Sequence, residues 1–255
     1  GAGPGAGPAG ADAAAREDAS SRAEQQMAMA DPASLARALF VVLRQLPGAT
    51  AWNLEAAAEE SKSMTAEKWL ERTPDLETPK YEVVLRDPQG VYEVRRYAAY
   101  STVEMDKAGT SPAAEGGNKQ FFALANYIFG KANVKQEKMA MTTPVQMDPR
   151  TGTMSFIMPS SYWGADQLKA APAPSDGSGV RLVPRAEETV AVTTFGGYAR
   201  GPLVAERKAA LLRALGQASQ LEVPDEEAVR VMQYNDPFTV PWKRRNEVSV
   251  PVLLK

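Results

Sequence analysis

At 255 residues, 44% hydrophobic and 24% charged, the chain is long enough for one large or two modest globular domains, and its formal charge of −2 offers no basic field for nucleic acid. It has no cysteine and no histidine, which removes disulfides, thiolate nucleophiles, Cys-zinc and iron–sulfur sites, the Ser-His-Asp triad and the commonest metal ligand and general base. There is no run of about 18 apolar residues, so no membrane-spanning helix is expected.

Residues 1–30 are rich in Gly, Ala and Pro, without apolar period, and read as a disordered low-complexity extension. Asp12, Glu17 and Asp18 fit what remains after a transit peptide is cleaved better than the peptide itself. Asp31-Pro32 opens a helix with a capping carboxylate and proline at the first helical position. Leu35, Leu39, Val42 and Leu46 form its stripe, and Pro47-Gly48 stops it. A short helix over 65–71 carries Trp69 and Leu70, so 31–75 is expected to be a helical extension. Through Asp75 there are 7 Lys+Arg against 11 Asp+Glu, and beyond it 22 against 20, so the acidity belongs to the extension.

Strand signals begin near Thr78, with Tyr81 to Leu85, a turn at Asp87-Pro88-Gln89-Gly90, Val91 to Arg95, and Tyr100 to Met105. A helix follows in which Phe121, Leu124, Ala125 and Ile128 make one apolar stripe, with Lys119, Gln120 and Asn126 off it. Asn118 can cap its start, and Gly130 can take the left-handed position that ends it. After Lys131, Lys135 and Lys138, residues 139–147 alternate Met139, Met141, Val145 and Met147 as a strand broken at Thr142-Thr143-Pro144. Thr153 to Met158 is a further strand, and a Pro/Ser/Gly-rich loop runs to Gly179.

The pattern then returns: Val180 to Val183, Thr189 to Phe195, a helix opened by Gly201-Pro202 with Val204, Leu211, Leu212 and Leu215 on its stripe, Ala228 to Tyr234, and Glu247 to Leu253. Thr142-Thr143-Pro144 is expected to answer Thr239-Val240-Pro241. The fold class is therefore α+β, with two βαβ-like halves (about 78–160 and 180–255) of mostly antiparallel strands about a pseudo-twofold axis, and a cleft between them. No pair of acids has a spacing that nominates it for catalysis, so no enzyme is expected. In Arg244-Arg245-Asn246-Glu247, the reading is a turn that pairs Glu247 with an arginine. Arg95 and Arg96 alternate in a strand and point to opposite faces.

Seven stretches together resemble the SOUL haem-binding protein family: Tyr92-Glu-Val-Arg-Arg-Tyr97, Tyr127-Ile-Phe-Gly-Lys131, Lys138-Met-Ala-Met-Thr-Thr-Pro-Val145, Phe156-Ile-Met-Pro-Ser160, Phe195-Gly-Gly-Tyr198, Tyr234-Asn-Asp-Pro-Phe238 and Arg244-Arg-Asn-Glu-Val248. Glu67-Lys-Trp-Leu to Pro74-Asp-Leu-Glu-Thr78 resembles the lead-in of its plastid branch, which implies a chloroplast protein. The resemblance implies a SOUL-like domain over 76–255, a distorted antiparallel β-barrel flanked by two helices. It also implies non-enzymatic binding or carrying of haem or another tetrapyrrole in an open apolar groove. Carried onto this chain, the groove residues are Asn118, Phe121, Ala125 and Asn126 on the first helix and Val240 on the loop before the last strand, with Phe122 beside Phe121 and Lys119 and Lys243 to steer propionates.

With histidine and cysteine absent, an iron ligand would have to be Met, Tyr, Lys or a carboxylate. Met139 and Met141 sit where one is wanted, although a methionine stripe on a strand is commonly core filler, and Tyr127 reads as a half-buried aromatic. The expectation is a tetrapyrrole held by apolar burial without a histidine ligand and with no dedicated metal site. The rival expectation is an interaction protein that docks on a thylakoid complex or lipid surface through the 32–46 helix.

Overall fold

The computed structural model describes residues 70–107, 113–236 and 239–255, the side chains of 113–118 excepted. The 1–30 extension, the 32–46 helix and most of the 65–71 helix lie outside those residues.

The first half consists of β1 (Tyr81–Arg86), β2 (Glu93–Tyr97), β3 (Tyr100–Met105), α1 (Ala113–Ile128), β4 (Val145–Met147) and β5 (Met154–Ile157). After the linking helix α2 (Ala165–Ala170), the second half consists of β6 (Arg181–Arg185), β7 (Glu188–Phe195), α3 (Gly201–Leu215), β8 (Leu221–Glu222), β9 (Arg230–Gln233), β10 (Asn246–Pro251) and β11 (Leu253–Leu254). Nine strands form one sheet in the order β1-β2-β7-β10-β9-β4-β5-β3-β6, paired antiparallel throughout. Exchanging β2 with β6, β3 with β7, β4 with β9 and β5 with β10 reverses the order from β2 to β6 onto itself. The pseudo-twofold axis therefore passes between β4 and β9, and β1 is an addition at one edge.

Three expectations change in detail. The strand expected over 139–147 is a ladder strand only from Val145, because Met139 to Pro144 runs in from α1 and touches the lead-in through a bridge between Glu77 and Thr142. The expected last strand divides: Asn246–Pro251 joins the large sheet, while Leu253–Leu254 pairs with β8. The two proline turns are not equivalent, since Pro144 precedes β4 whereas Val240-Pro241 follows β9. Similar tripeptides here serve different joints of the repeat.

Alternation along each strand sorts the side chains onto two faces. On the face that carries the helices, register aligns Phe195, Asn246, Gln233, Val145, Phe156, Val103 and Leu182 in one row across the sheet. A second row runs Thr193, Val248, Val231, Met147, Met154 and Met105. Helix α1 covers β3 and β5, burying Leu124, Ala125, Tyr127 and Ile128 among Val103, Met154 and Phe156; α3 covers β7 and β10 with Leu211 and Leu215 against Ala191, Val248 and Val250. The opposite, concave face packs Tyr97, Tyr100, Ile157, Val190, Val192, Met232 and Tyr234 together.

Gln120, expected off the stripe of α1, is buried, and its amide donates to the carbonyls of Met105 and Gly152, both at 2.8 Å. It tethers the helix to the ends of β3 and the β4–β5 turn, satisfying two buried acceptors that no apolar residue could. Gly130 does take the left-handed region, with φ +78°, and the amides of Lys131 and Ala132 turn back onto the Asn126 carbonyl at 2.8 and 3.0 Å.

Candidate functional site

Because α1 lies over β3 and β5 and α3 over β7 and β10, the central pair β4 and β9 lies between the helices. Of its helix-face residues, Val145, Met147 and Gln233 are half-buried, whereas Val231, opposite Met147, is buried together with the row neighbours Phe156, Met154 and Val248. An apolar strip thus runs along the pseudo-twofold seam, with α1 as one wall. Phe121 and Phe122 are half-buried on that helix; the Phe121 ring meets the Phe156 ring edge-on at 5.3 Å and that of Phe122 at 6.1 Å. Since Gln233 pairs with Val145, the β9–β10 connection leaves the sheet at the end where the chain from α1 enters it. The hydroxyl of Thr143 donates to the Tyr234 carbonyl at 2.9 Å and fixes that junction.

The residues named from sequence fall into three groups. Phe121, Phe122, Asn126, Met141, Val240 and Lys243 are half-buried and Lys119 is exposed, so each presents surface; the side chain of Asn118 lies outside the described ones. Ala125, 1% exposed, and Met139, 8% exposed, are inside the core under α1 and present almost none. Tyr127 is fully buried rather than half-buried, donates its hydroxyl to the Pro172 carbonyl at 2.7 Å, and has its pKa pushed up, chiefly by burial. It offers no phenolate. Val145, Met147 and Gln233, absent from the sequence-derived set, form the floor. The alternation of residues 139–147 placed Val145 and Met147 on one face, but Gln233 reaches them through a register that no local pattern displays.

The concave face is closed by ion pairs. Glu247, wholly buried, accepts from Arg95 at 2.9 Å, from Arg245 at 2.6 Å and from the Tyr234 hydroxyl at 2.7 Å. Burial works to raise its pKa, yet the two guanidiniums and these hydrogen bonds hold it below the usual glutamate range. The sequence expected one arginine partner from the turn; the second, Arg95, comes from β2. Glu188 is bound by Arg230, and Glu104 by Arg181 and Arg185. Each of these acids is matched to one or two arginines, and the arrangement is architectural.

A separate depression of about 550 Å³ lies beside α2 and the edge strand β6, floored by Leu168, Ala171, Pro174 and Leu182. Its rim cations Lys169 and Arg181 are paired with Asp166 and with Glu104 and Asp106 respectively, and the exposed Asp176 stands on the same rim. No cluster of acids that could hold a metal ion occurs among the described residues. None of their helices is long and apolar enough to cross a membrane.

A sequence model of the SOUL heme-binding protein family matches residues 76–251. No curated protein sequence matches the chain. Among solved structures, an uncharacterized conserved protein from Listeria innocua is similar at 14% identity, covering 64% of this chain and 92% of that one, with a TM-score of 0.47. A hydrolase from Listeria innocua is similar at 13% identity, with 64% and 91% covered and a TM-score of 0.42. These two likenesses say nothing of chemistry.

Proposed function

The chain belongs to the SOUL heme-binding protein family, and from that premise we propose that it binds haem or a related tetrapyrrole, without catalysis, on the apolar strip between α1 and the β9–β10 connection. The carrying observation is that Val145 and Met147 stand half-uncovered in the cluster that contains Phe121, whereas Phe156, Met154 and Val248 in their rows are covered by the helices. A flat ring that buries about 300 Å² of apolar surface there contributes roughly 7 kcal/mol before association costs, at about 25 cal/mol per Å². Micromolar affinity corresponds to about 8 kcal/mol net, so apolar burial of that size is not sufficient alone and the charge-assisted contacts of the propionates supply the remainder. Lys243 on the connection supplies a cation at one end of the strip for propionates, which leave the macrocycle from a single edge; Lys119, next to Gln120 and its bonds to Met105 and Gly152, lies toward the other end.

No histidine or cysteine exists to ligate iron, Tyr127 is committed to Pro172 and Met139 is in the core; Met141 does present surface, but its thioether is a soft, weak ligand for ferric iron. The reading is therefore of a site that recognises the ring and is indifferent to its metal. Titration with haemin and with protoporphyrin IX tests it through quenching of Trp242, which is 61% exposed on the connection. Saturable quenching by both, with dissociation constants within about threefold of one another, is the expected result. A flat titration with both ligands overturns the proposal, and binding of haemin alone overturns the ligand-free part of it.

A further inference from the structure

Resting on that reading, we propose that Gln233 is the residue that recognises the polar edge of the ligand, a propionate carboxylate, from the floor of the strip. Gln233 closes β9 on the helix face, directly opposite Val145 on one side and Asn246 on the other. The neighbouring amide is occupied, since Asn246 is buried and donates to the carbonyls of Gly197 at 2.8 Å and Phe195 at 3.4 Å. The amide of Gln233 has no hydrogen-bond partner among the described residues, although the residue is half-buried and sits in a row otherwise made of Val145 and Phe156 on its open side. A polar group at that depth loses part of its hydration when a ring covers it and regains it only if the ring brings a partner.

The chemistry of the partner follows from the position. A ring seated on Val145 and Met147 has its flat apolar area over those residues, and Gln233 lies at the end of the strip where the β9–β10 connection leaves. There the amide N–H groups meet the rim of the ligand, where a tetrapyrrole carries its carboxylates. Lys243, on that connection, supplies charge at the same end. A neutral amide on the floor donates a charge-assisted hydrogen bond to one ionised carboxylate, and to the carbonyl of an ester of similar size only a weaker neutral one that little exceeds the cost of desolvating the amide.

The experiment compares protoporphyrin IX with its dimethyl ester on the wild-type chain and on Gln233→Leu and Gln233→Glu. The wild type is expected to prefer the diacid by about tenfold, the usual weight of a hydrogen bond to a charged group. Gln233→Leu, which keeps the side-chain volume, should weaken diacid binding by about that factor and leave the diester unchanged or tighter. Gln233→Glu should weaken the diacid further, because two carboxylates then face each other. Far-UV circular dichroism and melting temperature monitor the fold, but the diacid-to-diester ratio is the readout that a general loosening of the site does not move. If Gln233→Leu retains the wild-type ratio while the wild type binds both porphyrins, the inference falls and the proposed function stands. If the wild type binds neither, both fall.

Discussion

Glu247 is the most deeply buried acid among the described residues: it sits on the concave face with two guanidiniums and a tyrosine hydroxyl as partners. Removing the carboxylate leaves Arg245 buried without an acidic partner and Arg95 with Glu93 alone, so Glu247→Ala should lower unfolding free energy by about 3–5 kcal/mol in urea titrations. The pH dependence has a definite sign. A carboxylate whose folded pKa is depressed contributes its full stabilisation above the unfolded value of about 4.3 and loses it as pH falls through the folded value. The stability gap between wild type and Glu247→Gln should therefore be widest near neutrality and shrink on going from about pH 6 to about pH 3. A gap independent of pH would show that the charge of Glu247 contributes nothing. Gly130 is constrained by shape instead, since a Cβ there would lie 2.7 Å from the Gln136 carbonyl oxygen at a φ of +78°. Gly130→Ala is expected to cost more than about 1 kcal/mol and to lower the melting temperature by several degrees, through both the left-handed backbone and the clash.

Between elements, the lead-in to β1 ties the halves together. The Glu71 carbonyl accepts from Arg245 at 3.0 Å in the second half, the Glu77 carbonyl accepts from the Thr143 amide at 2.9 Å, and the Glu77 carboxylate accepts from the Ser160 amide at 2.9 Å in the first. Residues 70–78 thus cross the end of the seam, beginning six residues before the stretch that matches the family. A chain that starts at Tyr81 should be less stable than one that starts at Leu70 by about 2–3 kcal/mol, three hydrogen bonds at about 1 kcal/mol each, and Glu77→Ala alone by about 1 kcal/mol. Equal denaturation midpoints for the two chains would show that the crossing is superficial. This contact also marks where local pattern stops being informative. The period of α1, its glycine stop and the alternation of most strands were legible, because each is a property of a few consecutive residues that bury one face. The burial of Gln120, the split of 139–147 and the placing of Gln233 beside Val145 were not. Each depends on which distant strand supplies the neighbour, and propensity contains no term for that. The site residues divide the same way: half-exposed Phe121 and Asn126 can be read from a helical wheel, while Ala125 lies on the same wheel and is covered by strands the wheel does not contain.

At the scale of the whole molecule, the duplication is not two domains side by side. In the sheet order, β2 of the first half borders β7 of the second, and β6 of the second borders β3 of the first. Each unit lends its opening strand to the other, through five residue pairs in each case, and the seam between β4 and β9 adds three more. A half on its own would lose the strand that shields β7 or β3 and expose a long apolar edge, so neither half retains a closed core. Fragments 78–160 and 180–255, prepared separately, should lack a cooperative thermal transition and regain one when mixed at equal concentration. A chain nicked within Asp176-Gly177-Ser178, in the loop that joins the halves, should keep its circular dichroism and elute as one species. The exchange also bears on binding, since Val145 and Met147 come from one unit and Gln233 from the other. The strip exists only in the assembled pair, and porphyrin quenching of Trp242 should appear on mixing at the same rate as the recovered structure. A cooperative melt from either fragment alone would mean that the lent strand is dispensable, and the seam would then be a contact between independent domains instead of the core of one.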